Sequence, residues 1–387
     1  MHPITKAIRT QTPRSEEREH STPLFLTSSF CFDSAEDMRA AFAEETDDNI
    51  YSRFSNPSVG EFIDKMCSLE GAQAGFATAT GMAAVFGSFM AFLKTGDHLI
   101  CCSAVFGSTH SLVSKFLPNY GIEFTFVDAN RPGEWESAVK PNTKMLYIET
   151  PTNPGLDIID LELAGKLCKK HKLIFNVDNC FATPLLQRPI EYGAHLVVHS
   201  ATKWVDGQGR VLGGIVVGDK ELIHKLYLFC RNTGPAMSPF NAWILSKSLE
   251  TLDVRMERHS SNALYIAQQL ENHPKLSSLK YPFLPSHPQH AIAIRQMSSG
   301  GGIVCFELKG GIESGRRFLD GLEMLTLTAN LGDTRSIASH PASTTHAKLS
   351  EKERQEVNIT PGLIRISVGL EHREDILSDI LQAIEKS

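Results

Sequence analysis

The sequence predicts an α/β protein, with a mostly parallel sheet domain followed by a smaller C-terminal α+β domain. Between residues 56 and 241 of the 387-residue chain, continuous apolar runs alternate with helical segments, as in strands that are buried on both faces. Residues 242–387 instead begin with a long helical stretch and contain few strands. Residues 1–55 are polar and contain several prolines, so we expect an arm rather than a separate domain.

Helix and strand patterns can be placed in order along the chain. A helix capped by Ser58 is expected to end near Gly71. Strands are predicted over 74–78, 98–103, 122–127, 145–149, 173–177, 196–199 and 215–217, with helices over 81–93, 108–117 and 161–170. The C-terminal part is predicted to contain a helix over 242–272, a Pro- and His-containing loop over 282–290, a strand over 303–308 and a helix over 374–385.

Composition excludes several classes of protein. The net charge is -6, whereas nucleic-acid binding usually requires a basic surface. No apolar run reaches the length of a membrane span, and residues 1–19 lack an apolar signal core. The 8 cysteines include no CxxC pair, and no metal-ligand spacing occurs. We therefore expect a cytoplasmic protein with reduced thiols and no metal site.

Two chemically demanding residues follow neighbouring predicted strands. Asp178 comes directly after one strand, and Lys203 ends the segment Ser200-Ala201-Thr202-Lys203 after the next, 25 residues further along. Ligands of open α/β sheets bind at the carboxyl ends of the strands. Taken alone, Asp178 could pair with a protonated pyridine nitrogen or cap a following helix or turn. Lys203 could form a Schiff base or bind a phosphate as a point charge. At this spacing the two residues together favour a pyridine cofactor bound by the lysine.

Two other strand ends allow a binding role and an ordinary structural one. Gly81-Met82 opens a helix after Ala79-Thr80, which gives either an anion site at the helix N-terminus or a plain Thr-capped turn. Asn153 lies between two prolines, which either fix its amide for a ligand or mark a turn. These segments alone do not separate the alternatives.

Together the segments resemble the Cys/Met-metabolism enzymes that depend on pyridoxal 5'-phosphate (PLP). The resemblance runs from Thr22-Pro23 to Arg365. It is carried by motifs that occur in the family's order: YSRFSNP, ATGMAA, ETPTNP, VDNCFATP, HSATKW, SHPASTTH and GLIRISVGLE. It implies the aspartate-aminotransferase-like fold, PLP-transferase type I, and an assembly of at least a dimer, typically a homotetramer made of two dimers.

The resemblance also implies a role for individual residues. Lys203 would hold PLP as a Schiff base, and Asp178 would pair with its pyridine nitrogen. The phosphate would be bound by Gly81, Met82, Ser200 and Thr202, and the phosphate of a neighbouring subunit by Tyr51 and Arg53. Phe106 would stack on the ring. The substrate would be bound by Asn153 and Arg365.

Two departures from the commoner family pattern bear on the reaction. Phe106 stands where most members have a Tyr, so that position has no hydroxyl for proton transfer. The segment NLGDTR at 330–335 resembles the sulfhydrylases that act on O-succinylhomoserine. The resemblance therefore implies γ-replacement on an O-acylhomoserine by sulfide, which gives homocysteine for methionine biosynthesis. Cystathionine synthesis and methionine γ-elimination are the alternatives, and Ser108, where methionine γ-lyases have a Cys, counts against the second.

A few conspicuous side chains receive structural interpretations. His287 and His290 are predicted to lie in a solvated loop, and Trp204 is predicted to pack. Asp333 and Arg335 either pair with each other or shape the substrate pocket. His340 and His346 receive no chemical role, although both fall in a family motif.

Overall fold

The larger sheet contains the seven strands expected from the apolar runs. A computed structural model describes residues 1–344, 351, 354 and 359–387 of the chain. The strands of this sheet are β1 (Ala74–Thr78), β2 (His98–Cys102), β3 (Glu123–Val127), β4 (Thr143–Glu149), β5 (Ile174–Asp178), β6 (Leu196–His199) and β7 (Gly214–Gly218). Their order is β1-β7-β6-β5-β4-β2-β3. Strand β7 is antiparallel to β1 and β6, and the other pairs are parallel, which confirms a mostly parallel sheet.

Helices precede, connect and follow the strands of this sheet. They are α1 (Pro3–Arg9), α2 (Ala35–Phe42), α3 (Pro57–Glu70), α4 (Gly81–Met90), α5 (Gly107–Ser111), α6 (Leu161–His171), α7 (Thr183–Leu186) and α8 (Lys220–Thr233). A π-helical turn covers Leu112–Phe116, and 3₁₀ turns cover Leu117–Tyr120, Pro132–Ala138 and Pro189–Tyr192. Helix α8 was not predicted, although Ile223, Leu226 and Cys230 form a buried stripe at helical spacing.

The N-cap of helix α3 lies two residues before the predicted one. Asn56, rather than Ser58, is the N-cap, and its side chain accepts a hydrogen bond from the Ser58 N–H at 2.9 Å. A proline at the first helical position suits this start because that position needs no N–H donor. Gly71 ends the helix at φ 76°, the left-handed conformation that glycine adopts without a steric penalty.

The prediction of one long helix over 242–272 was wrong, because this stretch contains two helices. Helix α9 (Pro239–Leu249) ends before Thr251, whose φ of -115° and ψ of 6° are not helical, and α10 (Leu252–Leu270) begins directly afterwards. The Arg255 side chain donates to the carbonyl of Ser248 at 2.9 Å. The same carbonyl accepts from the Thr251 N–H at 3.2 Å, so donors from the break and from the next helix satisfy a carbonyl that a continuous helix would have bonded internally.

A second sheet lies in the C-terminal part. Its strands are β8 (Leu276–Lys280), β9 (Ile303–Leu308), β10 (Thr326–Leu327), β11 (Ile337–Ser339) and β12 (Leu363–Ser367), in the order β10-β11-β12-β9-β8. The accompanying helices are α11 (His290–Gln296), α12 (Gly311–Gly321) and the C-terminal helix Arg373–Lys386. Other apolar side chains of this sheet, with those of α10, α12 and the C-terminal helix, form a second hydrophobic core. Ala293 of α11, Ile303 of β9 and Leu363 of β12 instead belong to the core around the larger sheet.

The loop that contains His287 is not fully solvated as predicted. His287 is only 3% exposed, and its Nε2 hydrogen-bonds the Leu156 carbonyl at 3.1 Å. The prediction was wrong because Pro and His near a turn indicate a loop but do not show which side chain the loop buries. Elsewhere in the described residues, no helix has the length and apolar character needed to cross a bilayer. His346 lies outside the described residues.

Candidate active site

One cavity collects most of the side chains singled out from the sequence. It opens at the carboxyl ends of β4, β5 and β6, beside the N-termini of α4 and α5. The predicted residues that line it are Gly81, Met82, Phe106, Asn153, Asp178, Ser200, Lys203 and Arg365. Parallel strands end at the same edge of a sheet, so residues distant in sequence meet there. Arg365 comes from β12, so the second sheet also contributes to the cavity.

Lys203 supplies an amine to this cavity. Its side chain is half-buried, and Nζ donates a hydrogen bond to Asn330 Oδ1 at 2.7 Å. Burial lowers the pKa of Lys203, and the positive charge of Arg365 adds to this effect, because both disfavour the ammonium form. The lysine is thereby closer to its nucleophilic state than an exposed lysine is.

Asp178 is the last residue of β5, and both of its carboxylate oxygens accept hydrogen bonds. Oδ1 accepts from the Cys180 N–H at 2.9 Å, and Oδ2 accepts from the Tyr147 hydroxyl at 3.3 Å. Burial raises the pKa of Asp178, while these two donors and His199 oppose the rise. The hydrogen bonds therefore support a carboxylate in a site where burial alone would favour the acid.

Glu149 is a second buried carboxyl group, to which the sequence analysis gave no role. It ends β4 directly opposite Asp178 in the parallel register, and it lines the same cavity. Its Oε2 accepts a hydrogen bond from the Phe106 N–H at 2.7 Å. Burial and the neighbouring Asp178 raise the pKa of Glu149 well above its usual range. The strand-end rule that selected Asp178 also applies to Glu149, because Glu149 closes a predicted strand.

The N-terminus of α4 packs tightly against the loop after β6. A Cβ placed on Gly81 would lie 2.6 Å from Ser200 Cβ and 2.9 Å from its Cα, so this contact requires glycine. Thr80 caps the helix by accepting from the Ala83 N–H at 3.1 Å. The close approach places Ser200 beside a helix N-terminus, where backbone N–H groups favour an anion.

Arg365 and Asn153 also line the cavity and contact each other. Arg365 Nη1 donates to Asn153 Oδ1 at 3.0 Å, and Nη2 donates to the Asn330 carbonyl at 3.3 Å. Asn330 thus contacts both Lys203 and Arg365, a position that the sequence analysis did not recognise. Arg365 Nε is buried and has no hydrogen-bond partner within the described residues.

A model of the family described as "Cys/Met metabolism PLP-dependent enzyme" matches residues 4–385. The chain belongs to this family of PLP-dependent enzymes. Similar curated proteins include the O-succinylhomoserine sulfhydrylase of Pseudomonas aeruginosa, which is 43% identical over 98% of this chain and 94% of its own length. The L-methionine gamma-lyase of Fusobacterium nucleatum subsp. polymorphum is 40% identical over 99% of this chain and 98% of its own length.

Solved structures of the same family confirm the predicted aspartate-aminotransferase-like fold. One is a Campylobacter jejuni protein assigned as an O-acetylhomoserine (thiol)-lyase, with a TM-score of 0.95, 33% identity and coverage of 100% of both chains. It contains N'-pyridoxyl-lysine-5'-monophosphate. The other is metB from Corynebacterium glutamicum, with a TM-score of 0.93, 34% identity and coverage of 100% of this chain and 98% of that one.

PLP is the cofactor of this Cys/Met-metabolism enzyme, and the cavity fits it chemically. The half-buried Lys203 amine suits its aldehyde, the Asp178 carboxylate suits a protonated ring nitrogen, and the α4 N-terminus beside Ser200 suits a phosphate. Gly81 leaves the space between α4 and Ser200 that a larger residue would fill.

Three predicted cofactor residues do not line the cavity of this family member. The Thr202 hydroxyl donates to the Gly213 carbonyl and accepts from the Gly213 N–H at 3.1 Å. Tyr51 is exposed, and the Arg53 guanidinium lies 4.8 Å from the Phe54 ring centroid, while Arg53 Nη1 donates to the Arg231 carbonyl. A contact between Tyr51 or Arg53 and a neighbouring subunit stays a prediction.

The other conspicuous residues have structural partners. Arg335 Nε and Nη2 donate to the two carboxylate oxygens of Asp333 at 3.0 and 3.2 Å, so these residues pair with each other. Trp204 is 1% exposed and packs edge-on against His259, 4.8 Å between ring centroids, as the packing interpretation predicted. His340 Nε2 hydrogen-bonds the Pro361 carbonyl at 2.7 Å.

Proposed function

We propose that this enzyme catalyses γ-replacement on O-succinylhomoserine, with sulfide as the nucleophile and homocysteine as the product. The observation that carries the proposal is the position of Asn330. It belongs to the sulfhydrylase-like segment 330–335, and its side chain accepts a hydrogen bond from the Lys203 amine. The 43% identity to the Pseudomonas aeruginosa O-succinylhomoserine sulfhydrylase supports the same choice.

The roles of the residues follow from their chemistry. PLP held by Lys203 supplies an electron sink for charge that develops on the substrate. Arg365 binds the substrate α-carboxylate through its guanidinium, in place of the present contact with Asn153. Asp178 supplies the negative charge for the ring nitrogen, and Gly81, Met82 and Ser200 bind the phosphate. Thr202 joins them by exchanging its present bond to the Gly213 carbonyl for one to the phosphate.

Lys203 moves the protons of the reaction. When it is free, its amine would act as the general base that takes the proton from the substrate Cα. The neighbouring Phe106 side chain has no hydroxyl that could share this task. Asn330 Oδ1 holds the freed amine by accepting one of its hydrogens, so a lone pair stays available for the proton.

The proposed assembly is a homotetramer built as a dimer of dimers. Tyr51 and Arg53 lie outside the cavity of their own chain, at the start of the segment that leads into α3. This position is compatible with contacts to the phosphate site of a neighbouring subunit. The arginine guanidinium would add a charge-assisted hydrogen bond to that phosphate.

The second candidate reaction is γ-elimination, because L-methionine gamma-lyases are 40% identical over almost the whole chain. The deciding experiment supplies succinyl-, acetyl- and phosphohomoserine in turn, each with sulfide, with cysteine or with no added nucleophile. We expect homocysteine from O-succinylhomoserine and sulfide as the fastest reaction. The proposal is contradicted if cystathionine forms with cysteine faster than homocysteine forms with sulfide. It is also contradicted if α-keto acid is released without a nucleophile as fast as homocysteine forms with sulfide.

Lys203→Ala tests the assigned base in the same assay. We expect turnover to fall below detection, since the variant lacks both the cofactor-binding amine and the proton acceptor. Lys166→Ala is the matched control, because the Lys166 side chain is 73% exposed on α6 and pairs with Glu162. Sulfide-dependent turnover by the Lys203 variant at the unmodified rate rules out the assignment.

A further inference from the structure

Glu149 and Asp178 place two buried carboxyl groups at adjacent strand ends. They are register partners in β4 and β5, and they are 3% and 8% exposed. Adjacent strands are about 4.8 Å apart, and two negative charges at such a distance repel strongly where water is excluded. Two carboxyl groups in this position therefore tend to share a single negative charge.

Hydrogen bonding decides which member of the pair carries the charge. Asp178 accepts from the Cys180 N–H and the Tyr147 hydroxyl, and donors of this kind stabilise a carboxylate. In the described part of the chain Glu149 accepts from one donor, the Phe106 N–H. The carbonyl oxygen of a neutral acid can also accept that single bond, so the two donors at Asp178 favour the charge there and leave the proton on Glu149.

Charged and titratable groups surround this pair on several elements. Arg365 on β12 favours ionisation of Glu149, but burial and Asp178 oppose ionisation more strongly. Arg365 already donates to Asn153 and the Asn330 carbonyl. The remaining groups that face or share the site of Glu149 are Cys101 and Cys102 of β2, Tyr147 of β4, and Cys180 and Lys203 of the cavity loops.

We infer that Glu149 is an uncharged carboxylic acid that positions Phe106 beside the cofactor cavity and leaves the negative charge of the pair to Asp178. Its Oε2 fixes the Phe106 backbone just before α5, and the Phe106 side chain lines the cavity. Glu149 is a positioning residue in this account, because it acts through Phe106 and Asp178. The inference rests on the proposed cofactor site, although not on the choice between γ-replacement and γ-elimination.

Cofactor titration of two variants separates the neutral acid from a required anion. Glu149→Gln retains a carbonyl acceptor for the Phe106 N–H and carries no charge, whereas Glu149→Ala leaves that N–H without its acceptor. We expect the dissociation constant for PLP to stay within about threefold for E149Q and to rise about tenfold for E149A, the size expected from a lost buried acceptor. Fluorescence titration of the cofactor-free protein measures both values, with circular dichroism as the check on folding.

An equal loss of cofactor affinity in E149Q and E149A overturns the inference, because it shows that the charge matters. The infrared spectrum gives a second, independent readout. We expect the unmodified protein to show a carbonyl band from a protonated carboxyl group, and we expect E149Q to lack it. Glu70→Gln is the control and should keep the band. It alters another buried glutamate, which is hydrogen-bonded to His199 and Asn179. Persistence of the band in E149Q also overturns the inference.

These two readouts keep the question separate from the reaction assignment. Neither titration nor infrared spectroscopy requires turnover, so both remain valid if the enzyme proves to be a γ-lyase. Failure of PLP to bind the unmodified protein at all would instead refute the cofactor site itself. If E149A does not fold, E149Q and the infrared band still decide the charge state.

Discussion

Lys203 is a residue whose surroundings decide its reactivity. Its half-buried amine donates a hydrogen bond to Asn330, and the charge of Arg365 disfavours the ammonium form. The same arginine lies close enough to Asn153 to donate to it. Nucleophilic and carboxylate-binding groups are therefore adjacent in one cavity, and their charges interact.

The lowered pKa of Lys203 gives a prediction for cofactor uptake. Burial disfavours the protonated amine, so the neutral form should be available at lower pH than for an exposed lysine, whose pKa is about 10.4. We expect the rate of PLP incorporation into the cofactor-free protein to rise with pH and to level off below that value. Stopped-flow absorbance at a series of pH values measures the midpoint. A midpoint at or above the value for an exposed lysine contradicts the prediction.

At the scale of elements, the contact between α4 and the loop after β6 shapes the proposed phosphate site. Gly81 begins the helix, and its missing side chain allows Ser200 to approach. Thr80 caps the same turn, so the helix start is fixed on one side by its cap and on the other by Ser200. A small displacement of α4 would therefore change the proposed phosphate site directly.

Gly81→Ala tests this contact. The added methyl group would overlap backbone and side-chain atoms of Ser200, so we expect PLP to bind at least about tenfold more weakly, a loss of about 1.4 kcal/mol. Gly60→Ala is the control, because a methyl group added to Gly60 in α3 would meet no neighbouring atom within 4 Å. That variant should gain roughly 0.5–1 kcal/mol of unfolding free energy and keep its cofactor affinity. Equal cofactor affinity in both variants would exclude the proposed contact.

At the scale of the whole molecule, the cavity depends on the relative position of two sheets. Lys203 follows β6 of the larger sheet, whereas Arg365 lies in β12 of the smaller one. His259 and His287 also connect parts of the chain that are distant in sequence, since they hydrogen-bond the carbonyls of Val368 and Leu156. Both imidazoles are buried, and burial lowers the pKa of each to about 4.

The lowered pKa values of these two histidines predict that the unfolding free energy of the protein falls in acid. Each remains neutral in the folded protein down to about pH 4, whereas in the unfolded chain it is protonated below about 6.5. The unfolded state binds more protons between these values, so the unfolding free energy should fall as pH drops from about 6.5 to about 4. The expected loss is roughly 2 kcal/mol per histidine by pH 5 and roughly 3 kcal/mol by pH 4. Urea unfolding of the protein and of His287→Gln at pH 7 and pH 5 measures this loss.

The variant should lose less stability than the unmodified protein over the same pH range. The control is His20→Gln, because His20 is exposed and should leave the pH dependence unchanged. A pH dependence of unfolding that is identical in the unmodified protein and in the His287 variant would show that this residue does not contribute.

Sequence alone identified the strands of the larger sheet because buried parallel strands are continuous apolar runs, and it placed Asp178 and Lys203 at strand ends by the same reasoning. Of the five strands described in the smaller sheet, it predicted only β9. It was less successful wherever a distant contact decided the outcome. The burial of His287 depends on Leu156, which lies 131 residues away.

The amino-acid sequence by itself determined the strands of the larger sheet, the family and the lysine–aspartate pair, because these depend on local patterns of apolar and polar residues. Only the tertiary structure decided that Glu149 lies beside Asp178, that Asn330 receives the Lys203 amine across 127 residues, and that Arg365 enters the cavity from the second sheet. Charge states and hydrogen-bond partners depend on burial and distance, and both arise from how remote segments pack together.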